Sequence, residues 1–140
     1  MEIILNEVKY IAPAPKTGLW FEIQKNRTAQ AKRVAAMQAM LDKIIPYELK
    51  EELTDQEIKE SNSLVKECNA KIEENKSILT QEKVGIIVKA IGNSAVTFET
   101  ILEHLPLADV SIKFAEICTE LDGILSGRIL QFPNEPAAKV

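Results

Sequence analysis

The sequence predicts a mainly α protein, a helical bundle carrying a small N-terminal β-hairpin, and three observations predict it. First, Val110, Phe114, Ile117, Leu121, Ile124 and Leu125 recur at steps of three and four residues, the spacing of one helix face. Second, the stretch from Ala29 to Leu41 is rich in Ala, Met, Gln, Lys and Arg, which are good helix formers. Third, β-branched runs that read as strands are confined to the first residues. With 140 residues, 46% hydrophobic and 5% aromatic, the chain has material for one core of Leu, Ile, Val and Ala. A single domain over residues 1–132 is expected, followed by a flexible tail over 133–140.

Residues 2–11 place two β-branched runs around Asn6-Glu7, a pattern that predicts a hairpin turning at the Asn. A two-stranded ribbon is marginal alone, so it should lie on the helices or pair with a neighbouring subunit. Pro13 and Pro15 then hold an extended connector and delay helix entry until about Lys16 or Thr17. A long helix should follow to about Ile45, with Pro46 ending it. In it, Trp20, Ile23, Val34, Met37 and Leu41 can share a face, with Ala35 and Ala36 small enough for close helix contact. Met37 and Met40 read as core filler or as part of an adaptable surface for a helical partner.

Thr54-Asp55-Gln56-Glu57 is a capping box that opens a second helix, expected to reach about Asn75. Its apolar stripe is narrow: Ile58, Val65, Cys68 and Ile72. This is an outer helix of the bundle, or an arm, and the seven-residue steps of Ile58, Val65 and Ile72 permit a coiled-coil contact. Thr80 and Glu82 then start the last third. There a short helix (Val84, Ile87, Val88, Ile91) meets a Gly92-Asn93 break. A second short helix is opened by Thr97, and beyond the Leu105-Pro106 corner a long helix runs from about Asp109 to Ile129. Gly123 and Gly127, four apart, suggest a close helix crossing. Pro133 and Pro136 should end regular structure.

The formal net charge of -4 argues against binding a nucleic-acid backbone, which needs clustered Lys and Arg. Lys25, Arg27, Lys32 and Arg33 form the most basic stretch, but no aromatic interleaves them, so they read as a solvated face. No apolar run approaches the roughly 20 residues of a membrane span, and Glu2 stands where an export signal would be basic. Cys68 and Cys118 have no second Cys or His at ligand spacing, and read as buried thiols without metal or redox roles.

Catalysis needs a nucleophile, a base and an electrophilic stabiliser within mutual reach. The single histidine, His104, reads as a helix-end residue, and no phosphate-cradling Gly loop, His-Glu-x-x-His helix or carboxylate cluster occurs. The sequence therefore predicts a non-enzymatic protein with no cofactor and no metal. Long amphipathic faces without chemistry point to burial of a partner's apolar helix surface. The expected client surface is Trp20, Val34, Met37 and Leu41, with Ile58, Val65 and Ile72 of the second helix; all of these can equally be internal core.

Three segments carry a family resemblance. The opening Ile3-Ile4-Leu5-Asn6-Glu7-Val8-Lys9-Tyr10, the connector Ala12-Pro13-Ala14-Pro15-Lys16 and Leu19-Trp20 form the first. Ile86-Ile87-Val88-Lys89-Ala90-Ile91-Gly92-Asn93, followed by Val96-Thr97 and Ile101-Leu102-Glu103-His104-Leu105, is the second. Leu130-Gln131-Phe132-Pro133-Asn134-Glu135 is the third. In order and spacing they resemble the tail assembly chaperones of long-tailed bacteriophages, encoded just before the tape-measure protein. Ile91 and Ala95-Val96 depart from the family in lacking an aromatic on either side of the Gly-Asn pair.

The resemblance implies a largely helical chaperone that binds the aggregation-prone tape-measure protein and keeps it soluble while the tail tube polymerises. It would act in the host cytoplasm and be absent from the mature virion. It also implies a frameshifted, extended form that recruits tail-tube subunits, this chain being the short form, and self-association is compatible with it. Two other classes stay open. A structural virion protein, such as a head-tail connector or tail completion protein, would also be small, helical and non-catalytic. A helix-turn-helix regulator would use the Ile91–Ile101 corner, but Glu99, Glu103 and Asp109 line it where a basic recognition helix is needed.

Overall fold

The computed structural model describes the backbone of residues 1–138 and the side chains of residues 1–126. Two strands and four helices follow in order: β1 (Glu2–Leu5), β2 (Val8–Ile11), α1 (Thr17–Glu48), α2 (Asp55–Ile91), α3 (Phe98–His104) and α4 (Leu107–Ala138). The chain is mainly α with an N-terminal hairpin, as its periodicity predicts. Where one core was expected, however, the chain divides into two compact units. Unit 1 comprises Met1–Ile23 with Glu82–Val140, and unit 2 comprises Gln24–Gln81.

In unit 1 the hairpin turns at Asn6 and Glu7, both in the left-handed region (φ 50° and 69°), and Leu5 pairs directly with Val8. This is the two-residue turn whose twist suits a hairpin; Asn tolerates it and Glu does so less readily. The ribbon does lie on a helix: strand alternation turns Ile3 and Leu5 inward, both nearly fully buried, and β1 packs on α3. On the other face, Ile4 and Ile11 stay exposed. The end of α2 supplies Val84, Ile86, Ile87 and Ile91 to the same core, α3 supplies Ile101, and α4 supplies Val110, Ile117 and Leu121. The expected apolar stripe of the last helix is thus covered, as far as Leu121, by unit 1 itself.

Local chemistry explains the corners of unit 1. Gly92 takes φ 62° and its N–H donates to the Val88 carbonyl (3.1 Å), the left-handed residue that closes many helices. Thr97 caps α3: its hydroxyl accepts from the Thr100 N–H (3.3 Å), and the Thr100 hydroxyl accepts from the Thr97 N–H (2.8 Å). Pro106 opens α4, its carbonyl accepting from the Asp109 and Val110 amides.

Unit 2 is an antiparallel pair built from the rest of α1 and the first part of α2. Its buried apolar residues are Met40, Ile44 and Cys68, with Leu64 and Ile72 packed against them. The predicted capping box opens α2, with the Glu57 N–H donating to the Thr54 hydroxyl (3.2 Å) and the Thr54 N–H to the Glu57 carboxylate (3.1 Å).

Three boundaries and one expected close contact differ from expectation. Helix α1 continues through Pro46 to Glu48: proline's fixed φ is itself helical, so close to a helix end it removes one hydrogen bond without forcing a break. Helix α2 is continuous in sequence from Asp55 to Ile91, because Thr80 does not cap a new helix. Its hydroxyl instead donates back to the Lys76 carbonyl (2.9 Å), a bond made inside a helix. Helix α4 extends past Ile129 and through Pro133 and Pro136 to Ala138, so regular structure does not stop at Pro133; residues 139–140 lie outside the described residues. Finally, a Cβ placed on Gly123 would meet nothing, so no close crossing uses it, while the side of α4 at Gly127 lies outside the described side chains.

Candidate partner-binding surface

The residues expected to meet a partner do not form one surface. Trp20 belongs to unit 1, where it is half-buried against the core that its helix neighbour Ile23 enters fully. Trp20 stacks edge-on with Phe21 (centroids 5.0 Å apart, planes at 73°). The two aromatics, with Leu121, Ile124 and Leu125, line a groove of about 250 Å³. Phe21 is 61% exposed and escaped sequence reasoning, since its position falls off the apolar stripe of α1.

The remaining expected residues all lie in unit 2. Val34, Leu41, Ile58 and Val65 are exposed, whereas Met37 and Ile72 are half-buried. Their arrangement follows from helix geometry. In α1 the seam against α2 is marked by Arg33, Met40 and Ile44; in α2 it is marked by Leu64, Cys68 and Asn75. At roughly 100° per residue, Val34, Leu41 and Ile45 sit about a quarter-turn from the first seam, and Ile58 and Val65 about a quarter-turn from the second, in the same rotational sense. In an antiparallel pair, equal offsets in the same sense fall on the same side. Five exposed apolar side chains therefore share one face of unit 2, with Ile72 at its inner margin.

Over Val34–Ile45 and Ile58–Ile72 that face carries no charge, and Glu48 and Lys76 enter the same sector one turn beyond. Between Val34 and Ile45 its other α1 positions are Met37 and Gln38; between Ile58 and Ile72 its other α2 positions are Ser61, Asn62 and Asn69. Lys32, Lys43, Lys71 and Glu74 fall on other sectors. A small cavity of about 120 Å³ opens along the seam, among Arg33, Met37, Lys71 and Asn75. Ile45 also belongs to the face, although in the sequence it stands at the expected helix end before Pro46.

Polar contacts fix both ends of unit 2. At one end Arg33 Nε donates to Asn75 Oδ1 (2.6 Å), and its terminal nitrogen to Gln30 Oε1 (2.9 Å). This makes one member of the expected solvated basic face a bridge between helices. At the other end Lys50 pairs with Glu57, and the Tyr47 hydroxyl donates to Glu60 (2.9 Å). The hydrogen bonds from Lys50 and from the Thr54 amide hold the Glu57 carboxyl below its ordinary value of 4.5. The hydrogen bond to Glu57 raises Lys50, and that to Glu60 raises Tyr47.

His104 stands at the exposed end of α3, its Nε2 3.6 Å from the Glu103 carboxylate. Among the described residues, no group of three or more His, Cys, Asp or Glu side chains could hold a metal ion, and no helix is long and apolar enough to cross a membrane. No family model matches this chain, and neither do the curated proteins or the solved structures with which it was compared.

Proposed function

We propose that this chain is a tail assembly chaperone of a long-tailed bacteriophage, and that it holds the tape-measure protein soluble by covering apolar stripes on its helices. The observation that supports this reading best is the uncharged apolar face of unit 2. Side by side, α1 and α2 offer a shallow groove flanked by Val34, Leu41 and Ile45 on one wall and Ile58 and Val65 on the other. An amphipathic helix laid along that groove buries its own stripe, the helix-in-groove mode of recognition. A long helical client presents many such stripes, and several chaperone copies bound along it gain avidity. The order and spacing of the three family-like segments support the same assignment.

In this proposal the protein is non-enzymatic, needs no cofactor, works in the host cytoplasm and stays out of the mature virion. Tail-tube subunits are recruited by an extended, frameshifted form.

The test is co-expression with the tape-measure protein encoded downstream, followed by pull-down and a solubility assay. The parent chain should keep the tape measure soluble and co-purify with it, and Leu41→Glu or Val65→Glu should lose both effects while the circular dichroism stays helical. A tape measure indifferent to the chain, with the chain itself present in washed virions by mass spectrometry, would favour the connector or completion-protein reading instead.

A further inference from the structure

Three observations bear on what covers the unit 2 face when no client is present. The unit buries only Met40, Ile44 and Cys68 among its described residues, which is thin for two packed helices, since a helix layer normally closes its apolar stripe against a second layer. The stripe repeats at seven-residue steps (Val34 to Leu41; Ile58 to Val65 to Ile72), the repeat that lets helices mesh side by side. Between Val34 and Ile45 and between Ile58 and Ile72 the face carries no charge, and Glu48 and Lys76 at its two ends are of opposite sign, so a copy of itself is not repelled at contact.

We infer that the unit 2 face pairs with the same face of a second copy of this chain, two helical hairpins closing into a four-helix bundle about a two-fold axis. The size of the face sets the strength. Each stretch runs about 20 Å along its axis and the two helices are together about 20 Å wide, so the pair buries on the order of 1,000 Å² in total. Specific interfaces begin near that area, so the dimer should be weak and concentration-dependent. Because such an interface is isologous, it stops at two copies. Asn62 and Asn69 at the margin temper the affinity, as polar residues do in helix bundles. The inference does not need the tape measure as client; if that reading also holds, client and second copy compete for one surface, and the pair is the resting state.

The measurement is sedimentation equilibrium on the full chain without client, from micromolar to near-millimolar concentration. The parent should approach twice the 15.6 kDa chain mass. Val65→Glu, which brings a charge into an apolar contact, should weaken pairing at least about tenfold, and Asn69→Ile should tighten it several-fold. Leu107→Glu, at a residue of unit 1 that is 73% exposed, should leave pairing unchanged. Circular dichroism on each variant checks that the helices persist. A parent that stays monomeric throughout, an assembly larger than two, or a dimer indifferent to Val65→Glu or to Asn69→Ile would each overturn the inference. Because no client is in the cell, a failed tape-measure pull-down does not alter the result.

Discussion

Unit 1 and unit 2 share the helices α1 and α2, yet they are held together differently. Among the described residues of unit 1, fourteen buried apolar residues come from the hairpin, from parts of all four helices and from the corners at Val96 and Leu105. Unit 2 has three, and its ends are closed by polar contacts at Arg33–Asn75 and Lys50–Glu57. Exposed ion pairs and hydrogen bonds position helices but add little stability, whereas each fully buried aliphatic side chain contributes about 1.5–3 kcal/mol. The contrast teaches that helix length is no guide to where stability resides. Unit 1 holds the large core, and unit 2 has a minimal interior.

The sharpest way to break this contrast is to empty the large core. Ile87→Ala, at a residue with 0% exposure, should cost about 3–4 kcal/mol by urea unfolding, since it leaves a cavity in a dense core. A loss below about 1 kcal/mol would show that unit 1 is less tightly packed than its burial indicates. Ile44→Ala should cost about 2 kcal/mol, because a thin core collapses more readily around a deletion. Hydrogen exchange should quicken across Gln24–Gln81 while the amides of Val84–Ile91 stay protected; uniform loss of protection would mean that the units unfold as one.

Smaller changes sharpen the comparison. Thr54→Ala removes the cap of α2 and should cost about 1 kcal/mol. The neighbouring Lys50–Glu57 pair adds a pH signature. Glu57 titrates below its ordinary value when folded, so its contribution is present above pH 4.5 and is lost as the pH falls below it. Lys50 is raised, so its contribution is complete below 10.5 and is lost above. Acid titration of Glu57→Gln should therefore show a shallower stability loss below pH 4.5 than the parent. Smallest, Glu7→Gly should raise stability by about 0.5 kcal/mol, as glycine adopts φ 69° without strain and this relief exceeds the cost of its added unfolded-state freedom.

Much of this architecture is legible in the sequence wherever short-range chemistry decides. The turn at Asn6, the caps at Thr54 and Thr97, the stop at Gly92 and the stripe of α4 each depend on side chains a few residues apart. What escaped depends on longer reach. Thr80 resembles a cap in isolation, and only the register of the preceding helix turns its hydroxyl back onto the Lys76 carbonyl. Pro46 reads as a stop although its ring fits the final turns of a helix. The partition into two units could not be read from periodicity, because α1 and α2 carry their apolar positions in both. The candidate surface was half legible: Val34, Leu41, Ile58 and Val65 were marked by spacing, but their common side required knowing that the two helices run antiparallel and where their seam lies. Trp20 and Ile23, on the same stripe of α1, serve the other unit's core.

The division of the chain also sets an order of events during synthesis. Unit 2 is continuous, and all of its residues leave the ribosome before Glu82 does. Unit 1 is interrupted: its first 23 residues must wait for partners that begin at Glu82. At about 5–20 residues per second, the hairpin and the start of α1 remain for several seconds without the rest of their core. Ile3, Leu5, Leu19 and Ile23 are the apolar residues left open meanwhile. The chain thus passes through an interval in which its own most buried side chains need shielding, and fast translation of residues 24–81 shortens it.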